Sequence, residues 1–324
     1  MCTATTYKTK DFYFGRTLDY DFSYGESVVI TPRNFPIHLR KESDINTHYA
    51  IIGMATVINN TPLYFEGIND KGLGVAGLNF VNNAHYNSTL SKDKKNIAQF
   101  EFIPYILALA KNVDEAIALI HSLNILDTPF SEKLPVASLH YLIADKTKAV
   151  TVEFVKEGTK IYDNPVGCLT NNPPFDKQLY NLNNYRHLSH KDVDNTFGSI
   201  NLEQYSRGMG AIGLPGDLSS QSRFVRVSFV KMNSLSKDDE ESSVSQFFHI
   251  LNSVDQQRGC CEVKPGEFEI TLYTSCYNTD KGIIYYTTYD NHQLSAVDMH
   301  HEDLESDKLI VYALERGERI NYKN

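Results

Sequence analysis

The sequence predicts an α+β fold in which two antiparallel sheets pack face to face under helices, and three observations carry that expectation. Alternating or wholly apolar β-type runs occupy 27–30, 49–58 and 73–80, punctuated by Gly, Asn and Asp. Helical periodicity then replaces them, and strand patterns return on both sides of a last helix. This order of strands, helices, strands, helix and strands lacks the regular βαβ alternation of a doubly wound parallel sheet. Paired antiparallel sheets covered by helices are the layering that buries every apolar face.

From Ala98 the period becomes helical, with Phe100, Ile103, Ile106, Leu107 and Ala110 on one face. Asn112 followed by Glu115 has capping-box spacing and announces a second helix carrying Ala116, Ile117, Leu119, Ile120 and Leu123. Strands are expected at 138–144 and 150–155, and the turn-rich stretch 171–184 reads as loop. The segment 184–210 reads as a surface excursion. Gly213-Leu214-Pro215-Gly216-Asp217 leads through Ser219 and Ser220 into a helix that carries Arg223 toward a pocket. The acidic run at 238–241 is the solvated approach to a helix at 244–254. A hairpin pairs 268–277 with 283–289 across 278–282, and a strand at 293–297 follows. No repeat or linker divides the chain, so 1–324 is expected to form one domain.

The composition narrows the function classes. The 324 residues are 41% hydrophobic and 11% aromatic, ample for a buried core, and the net charge is −9. An acidic chain without a Lys/Arg cluster interleaved with aromatics excludes nucleic acid as a partner. No apolar run reaches the length of a membrane span and no leader-like start is seen, so membrane insertion is excluded and the cytoplasm is the expected location. The five cysteines, Cys2, Cys168, Cys260, Cys261 and Cys276, are odd in number and scattered, which points to reduced thiols. Cys260-Cys261 lacks the gap of a zinc motif, and the adjacent His300-His301 point to opposite faces of a strand, so no metal or other cofactor is expected.

The start of the chain carries the chemistry. Once Met1 is removed, as the small side chain of Cys2 permits, one residue holds both a thiol and a free α-amine. That amine titrates near working pH and so makes a useful base. Gly15-Arg16-Thr17-Leu18-Asp19 places a cation and an acid within reach of Cys2 if the first strand turns back on itself. The acid suits an ammonium and the cation a thiolate. The glycine-punctuated strand 72–80 carries Asn79, and the turn Leu169-Thr170-Asn171-Asn172-Pro173-Pro174 offers a second amide donor for an oxyanion.

Taken in order, the segments MCT, GRTLD, PRNF, GLGVAGLNF, LTNNPPFD, GLPGDLSSQSRFVR, FFHILNSV and YTSCYNTDKGIIYY resemble the choloylglycine hydrolases, a family of N-terminal-nucleophile hydrolases that includes conjugated bile salt hydrolases and penicillin V acylases. The resemblance spans essentially the whole chain. It implies a four-layer αββα sandwich, a homotetramer and no metal. It implies that Cys2 is the nucleophile with its own α-amine as base, that Asp19 partners that amine, and that Arg16 and Arg223 shape the charge around the thiol. Asn79 and Asn171 become oxyanion or orientation groups, with the neighbouring Asn172 a competitor for the second role.

Asn79 resembles the bile-salt branch, where the penicillin V acylases tend to carry Tyr. The expected substrates are therefore glycine- or taurine-conjugated bile salts, with penicillin V or another N-acyl amide as the alternative. The rigid apolar steroid calls for apolar lining, for which Leu18, Tyr24, Phe65 and Phe130 are candidates beside turns. Two further readings stand beside this one. A papain-like cysteine protease would draw on His121, His140 or His249, and a silent bile-acid-binding protein would keep the pocket without turnover.

Overall fold

The computed structural model describes residues 1–324. Strands β1 (Cys2–Lys8), β2 (Phe12–Tyr20), β3 (Ser27–Thr31), β4 (Ile51–Ile58), β5 (Thr61–Asn69), β6 (Gly74–Asn79) and β7 (Lys95–Ala98) come first. Helices α1 (Phe102–Leu109) and α2 (Val113–His121) follow, then strands β8 (Leu123–Leu126), β9 (Leu139–Ala144), β10 (Ala149–Val155), β11 (Gly158–Asp163) and β12 (Cys168–Leu169). Helices α3 (Phe175–Asn181), α4 (Ser220–Asn233) and α5 (Glu240–Asn252) precede the last strands, β13 (Glu262–Lys264), β14 (Glu267–Phe268), β15 (Ile270–Asn278), β16 (Ile283–Thr288), β17 (Asn291–Asp298) and β18 (Ile310–Ala313).

These strands build the two large sheets that the apolar patterning requires. The first is 6-stranded, ordered β12-β1-β2-β15-β16-β17, and the second is 8-stranded, ordered β11-β10-β9-β6-β5-β4-β3-β18. Every neighbouring pair in both sheets is antiparallel. Helices α4 and α5 pack on β1, β2, β12 and β15, whereas α1 packs on β4, β5 and β6, and β1 and β2 meet β6 between the sheets. The result is a four-layer αββα sandwich. Gly74 allows this close approach, because a Cβ there would lie 2.8 Å from the Phe14 ring. Gly15 likewise lets β2 meet β15, where a Cβ would lie 2.0 Å from the Ser275 carbonyl oxygen. No helix is long and apolar enough to cross a membrane.

Several sequence expectations shift in detail. The first turn after Ala98 is a 3-10 turn over Gln99–Glu101, with α1 starting at Phe102, and Phe100 stays partly exposed instead of joining the apolar face. Asn112 does cap α2, accepting from the Glu115 amide at 2.9 Å, but the Glu115 carboxylate reaches back to the Lys111 amide and so completes only a displaced version of the box. Helix α5 begins inside the acidic run, with Asp239 as its cap accepting from Ser242. The stretch expected as loop, 171–184, contains α3. Phe175 and Gln178, one turn apart, are its buried side chains, and Phe175 packs edge-on against Phe224 of α4 at 6.0 Å. Two prolines and several asparagines hide this helix from a periodicity reading. The hairpin strand expected from 268 starts at Ile270, while Glu267–Phe268 pairs with β13 in a separate ribbon.

Candidate active site

Strand alternation sorts the catalytic candidates onto two faces before any side chain is placed. In the β1–β2 hairpin Cys2 lies opposite Leu18, Thr3 opposite Thr17 and Ala4 opposite Arg16. With a period of two, Cys2, Leu18 and Arg16 face the space between the sheets, while Thr3, Thr17 and Asp19 face the α4–α5 layer. The spacing that places Arg16 and Asp19 together in sequence thus puts them on opposite sides of one strand, with the chain start between them.

On the inner face Cys2 is buried, at 2% exposure. The wholly buried Arg16 is anchored by Nε on the Thr17 carbonyl at 3.1 Å and by Nη1 on the carbonyls of Gly77 at 2.5 Å and Phe65 at 3.3 Å. Its Nη2 is buried with no hydrogen-bond partner from the protein. Burial works against the Arg16 charge, but Cys2, Glu66, Tyr273 and Asp19 outweigh it and raise its pKa further, so it is a permanent cation.

On the outer face Arg223 holds the chain start in place. Its Nη1 donates to the Cys2 carbonyl at 2.7 Å and to Thr3 Oγ1 at 2.5 Å, and its Nη2 donates to Asn171 Oδ1 at 2.8 Å. The Asp19 carboxylate accepts from Thr271 at 2.8 Å and from Thr17 at 3.1 Å, with Arg223 Nη1 at 3.9 Å. Burial raises the Asp19 pKa against the pull of Arg223, and burial lowers that of Arg223 against the pull of Asp19. Both shifts have one cause, because the pair touches through charge and not through a direct hydrogen bond.

Asn171 joins the two faces. Its Oδ1 accepts from the Cys2 backbone nitrogen at 2.8 Å, and its Nδ2 donates to the Asn79 carbonyl at 2.9 Å. Both ends of the amide are therefore engaged, so Asn171 bridges the Cys2 nitrogen and the Asn79 carbonyl with the second N–H of its Nδ2 left over. Asn79 is the opposite case: its backbone carbonyl is used, while its half-buried side chain has no partner within the protein. Asn172 donates instead to the Val81 carbonyl at 2.9 Å and takes no part around Cys2.

Met1 is attached in this structure, so the Cys2 nitrogen is an amide. The Met1 ammonium bonds the Asp19 carbonyl at 2.9 Å and pairs with Glu269, and the Asp19 amide donates to the Met1 carbonyl at 3.1 Å. Asp19 thus meets the chain start through its main chain here, and its carboxylate lies behind. Glu269 was not legible as a partner of the terminus, nor was Thr271 as a support of Asp19. Both lie some 250 residues away in sequence, with no local pattern to betray them. Gln178, only 7 residues after Asn171, went unread for another reason, being on the hidden helix α3; it donates to the Asn171 carbonyl at 2.5 Å and accepts from Thr170 at 2.8 Å.

The histidines on which a papain-like reading depends are placed elsewhere. His140 is stacked on Phe80 at 4.3 Å and bonded to the Thr170 carbonyl at 2.7 Å and to Glu153 at 3.2 Å, so it braces the Asn171 turn. His121 and His249 are exposed on α2 and α5.

Of the expected lining residues, Leu18 is buried opposite Cys2. Tyr24 packs on Phe65 at 5.9 Å and on Phe22 at 4.7 Å, with Tyr20 at 5.3 Å, forming an aromatic group whose Phe22 is 50% exposed. Phe65 is the extra residue of a bulge in β5, since Met54 pairs with Glu66 and Ala55 with Tyr64. Phe130 belongs to a different group, edge-on to Phe100 at 5.2 Å and under Arg40 at 5.5 Å. Its loop runs into Leu139, the strand partner of Asn79. A cavity of about 520 Å³ opens between α5 and β15–β17, but polar residues such as Thr271, Gln256 and His249 line most of it. It lies on the helix side of the sheet, away from the face that carries Cys2.

A model of the linear amide C–N hydrolases, choloylglycine hydrolase family, matches residues 2–312. A bile salt hydrolase/transferase of Lactiplantibacillus plantarum is 53% identical over 97% of both chains. A solved structure of a mutant conjugated bile acid hydrolase from Clostridium perfringens superposes with a TM-score of 0.93 at 36% identity, over 100% of both chains. A penicillin V acylase from Agrobacterium tumefaciens shares the fold, with a TM-score of 0.75 at 18% identity over 97% of this chain and 92% of its own. The chain with Cys2, Arg16, Asp19, Asn79, Asn171 and Arg223 set around its first strand belongs to the choloylglycine hydrolase family of linear amide C–N hydrolases.

Proposed function

We propose that this chain, as one domain over 1–324, hydrolyses the amide bond of glycine- or taurine-conjugated bile salts, with Cys2 as the nucleophile once Met1 is removed. The observation that carries the reading is the position of Cys2. It sits between a buried cation with an unspent donor, Arg16, and an amide, Asn171, that grips its own backbone nitrogen. Removal of Met1 turns that nitrogen into an amine whose orientation Asn171 and Arg223 already fix. The thiol and its base are then two groups of one residue.

In the first step Cys2 Sγ attacks the amide carbonyl and the C–N bond breaks. The thiol proton passes through the α-amine to the departing glycine or taurine, leaving a thioester. The free amide of Asn79 donates to the developing oxyanion. Water then attacks the thioester with the same amine as base, releasing the bile acid and restoring the thiol. Asp19, held by Thr17 and Thr271, supplies the negative charge that steadies the ammonium in between. Leu18 and the Tyr24–Phe65 group offer an apolar wall beside the thiol, with Phe130 on a loop that reaches Asn79 through Leu139.

The relatives named for bile salts support this substrate class over penicillin V, as does the small Asn79 side chain, which leaves room for a broad acyl group. Intact support around Cys2 favours turnover over silent binding. The reading extends to a homotetramer, supported by Phe197 and Tyr205, 81% and 84% exposed on the 184–210 excursion, and to the cytoplasm as its place of action. Amino-acid release from glycocholate and taurocholate, measured beside phenoxyacetate release from penicillin V, tests the proposal. The expected kcat/KM for a conjugated bile salt exceeds that for penicillin V by about tenfold or more, a difference of ~1.4 kcal/mol in transition-state binding. Preference for penicillin V would assign the other branch, and no release from either would leave a binding protein.

A further inference from the structure

One buried charge next to the nucleophile's surroundings has no part in the steps above. Glu66, on β5 across the inter-sheet space from β2, is wholly buried. Its Oε1 accepts from Ser275 at 3.0 Å and from Tyr277 at 3.3 Å, and its Oε2 accepts from Tyr273 at 2.8 Å. Arg16 Nη1 stands 3.8 Å from Oε2, close enough for charge and too far for a hydrogen bond. A packing role alone does not explain an acid here, since burying a carboxylate is costly unless it is paired and its acceptors are filled. Both conditions are met by residues of two strands, the β2 cation that faces Cys2 and three hydroxyls of β15.

We propose that Glu66 is a positioning residue for Arg16, holding the guanidinium beside Cys2 and setting how much of its positive charge the thiol experiences. The inference rests on the reading of Arg16 as the cation that favours the Cys2 thiolate. The bulge at Phe65 re-aims β5 so that Glu66 points inward while the Phe65 carbonyl takes Arg16 Nη1, so one local irregularity supplies both a charge and an acceptor to the same side chain.

Burial raises the Glu66 pKa to about 7 against the opposing pull of Arg16 and the three hydroxyls. The ionisable groups facing it are Arg16 on β2 and Tyr273 and Tyr277 on β15. The flanking strands β4 and β6 contribute no ionisable side chain. Above neutrality the ionised carboxylate offsets Arg16 and disfavours the thiolate. Below neutrality the protonated acid leaves the Arg16 charge unopposed and favours it. The site thereby keeps a reactive thiol as the medium turns mildly acidic.

The test is the rate of Cys2 alkylation by iodoacetamide in the processed enzyme, followed by mass spectrometry of the N-terminal peptide from pH 5 to 9. The wild-type curve is expected to bend near pH 7 in addition to the titrations of the thiol and of the freed α-amine. Glu66→Gln keeps the shape and loses the charge, and it is expected to remove that bend and alkylate roughly two- to fivefold faster at pH 7.5. Tyr273→Phe, a smaller change, is expected to move the bend to higher pH by removing one hydrogen bond to the carboxylate. A wild-type curve that needs only the thiol and the freed α-amine overturns the proposal even if neither variant folds, and so does a Glu66→Gln curve that superposes on wild type. Alkylation reads the thiol without turnover, so failure here is distinct from failure of Cys2 as the nucleophile, which would show as full turnover without that thiol.

Discussion

Replacing Cys2 by serine in the processed enzyme is expected to lower glycocholate hydrolysis by at least about a thousandfold while leaving the fold intact. Cys2 is buried at the head of β1, and its backbone nitrogen and carbonyl are held by Asn171 and Arg223. A one-atom change from sulfur to oxygen disturbs none of these bonds. It does change the proton to be removed: a hydroxyl is far less acidic than a thiol, so a site whose buried cation favours a thiolate loses that advantage and the α-amine must draw off a more tightly held proton in the transition state. Parallel measurements of turnover and thermal unfolding distinguish loss of chemistry from loss of structure. Serine turning over at near wild-type rate would remove Cys2 from the mechanism.

The second large effect is expected at Arg223, where stability and catalysis fall together. This guanidinium is wholly buried and donates to the Cys2 carbonyl, Thr3, Asn171 and, through Nε at 3.0 Å, the Leu218 carbonyl. Arg223→Ala leaves Asp19 as a buried charge without its cation and frees the turn that orients the Cys2 nitrogen. The expected cost is about 3–5 kcal/mol in urea unfolding, the size typical of breaking a buried charge pair on one side. Arg223→Lys keeps the charge but not the planar fork, so it is expected to retain most of the stability and still lose roughly tenfold or more in kcat. A lysine variant with wild-type kcat would show that charge alone suffices and that the fork does not hold the nucleophile.

The β1–β2 hairpin shows how far the sequence reaches. The sequence brings Arg16 and Asp19 to Cys2 by a strand that turns back on itself, and the hairpin is present, but the split that sets Arg16 and Leu18 on the Cys2 face and Thr17 and Asp19 on the other follows only from the β1–β2 register. The cap at Asn112 and the helix behind Ser219 were equally local, and both are present. What escaped reading depends on distance along the chain. Glu66 matters because β15 brings Tyr273, Ser275 and Tyr277 to it, and no window around residue 66 contains them. Asn171 and Asn172 are chemically identical neighbours, and only the turn after β12, braced by His140 and Gln178, decides which one reaches Cys2. Helix α3 hid behind proline and asparagine because its stability comes from Phe175 packing on Phe224 and not from its own propensity.

The account stands on a freed cysteine nitrogen acting as the base. Met1 now ties that nitrogen into an amide and occupies the Asp19 carbonyl and Glu269 through its own ammonium. The most direct measurement pairs the mass of the N-terminal peptide with glycocholate turnover in two preparations of the same chain, one with Met1 removed and one with it retained by blocking the aminopeptidase. Turnover confined to the protein lacking Met1, with the retained form at least roughly a hundredfold slower, is the predicted result. Equal turnover by the chain that still carries Met1 would contradict it.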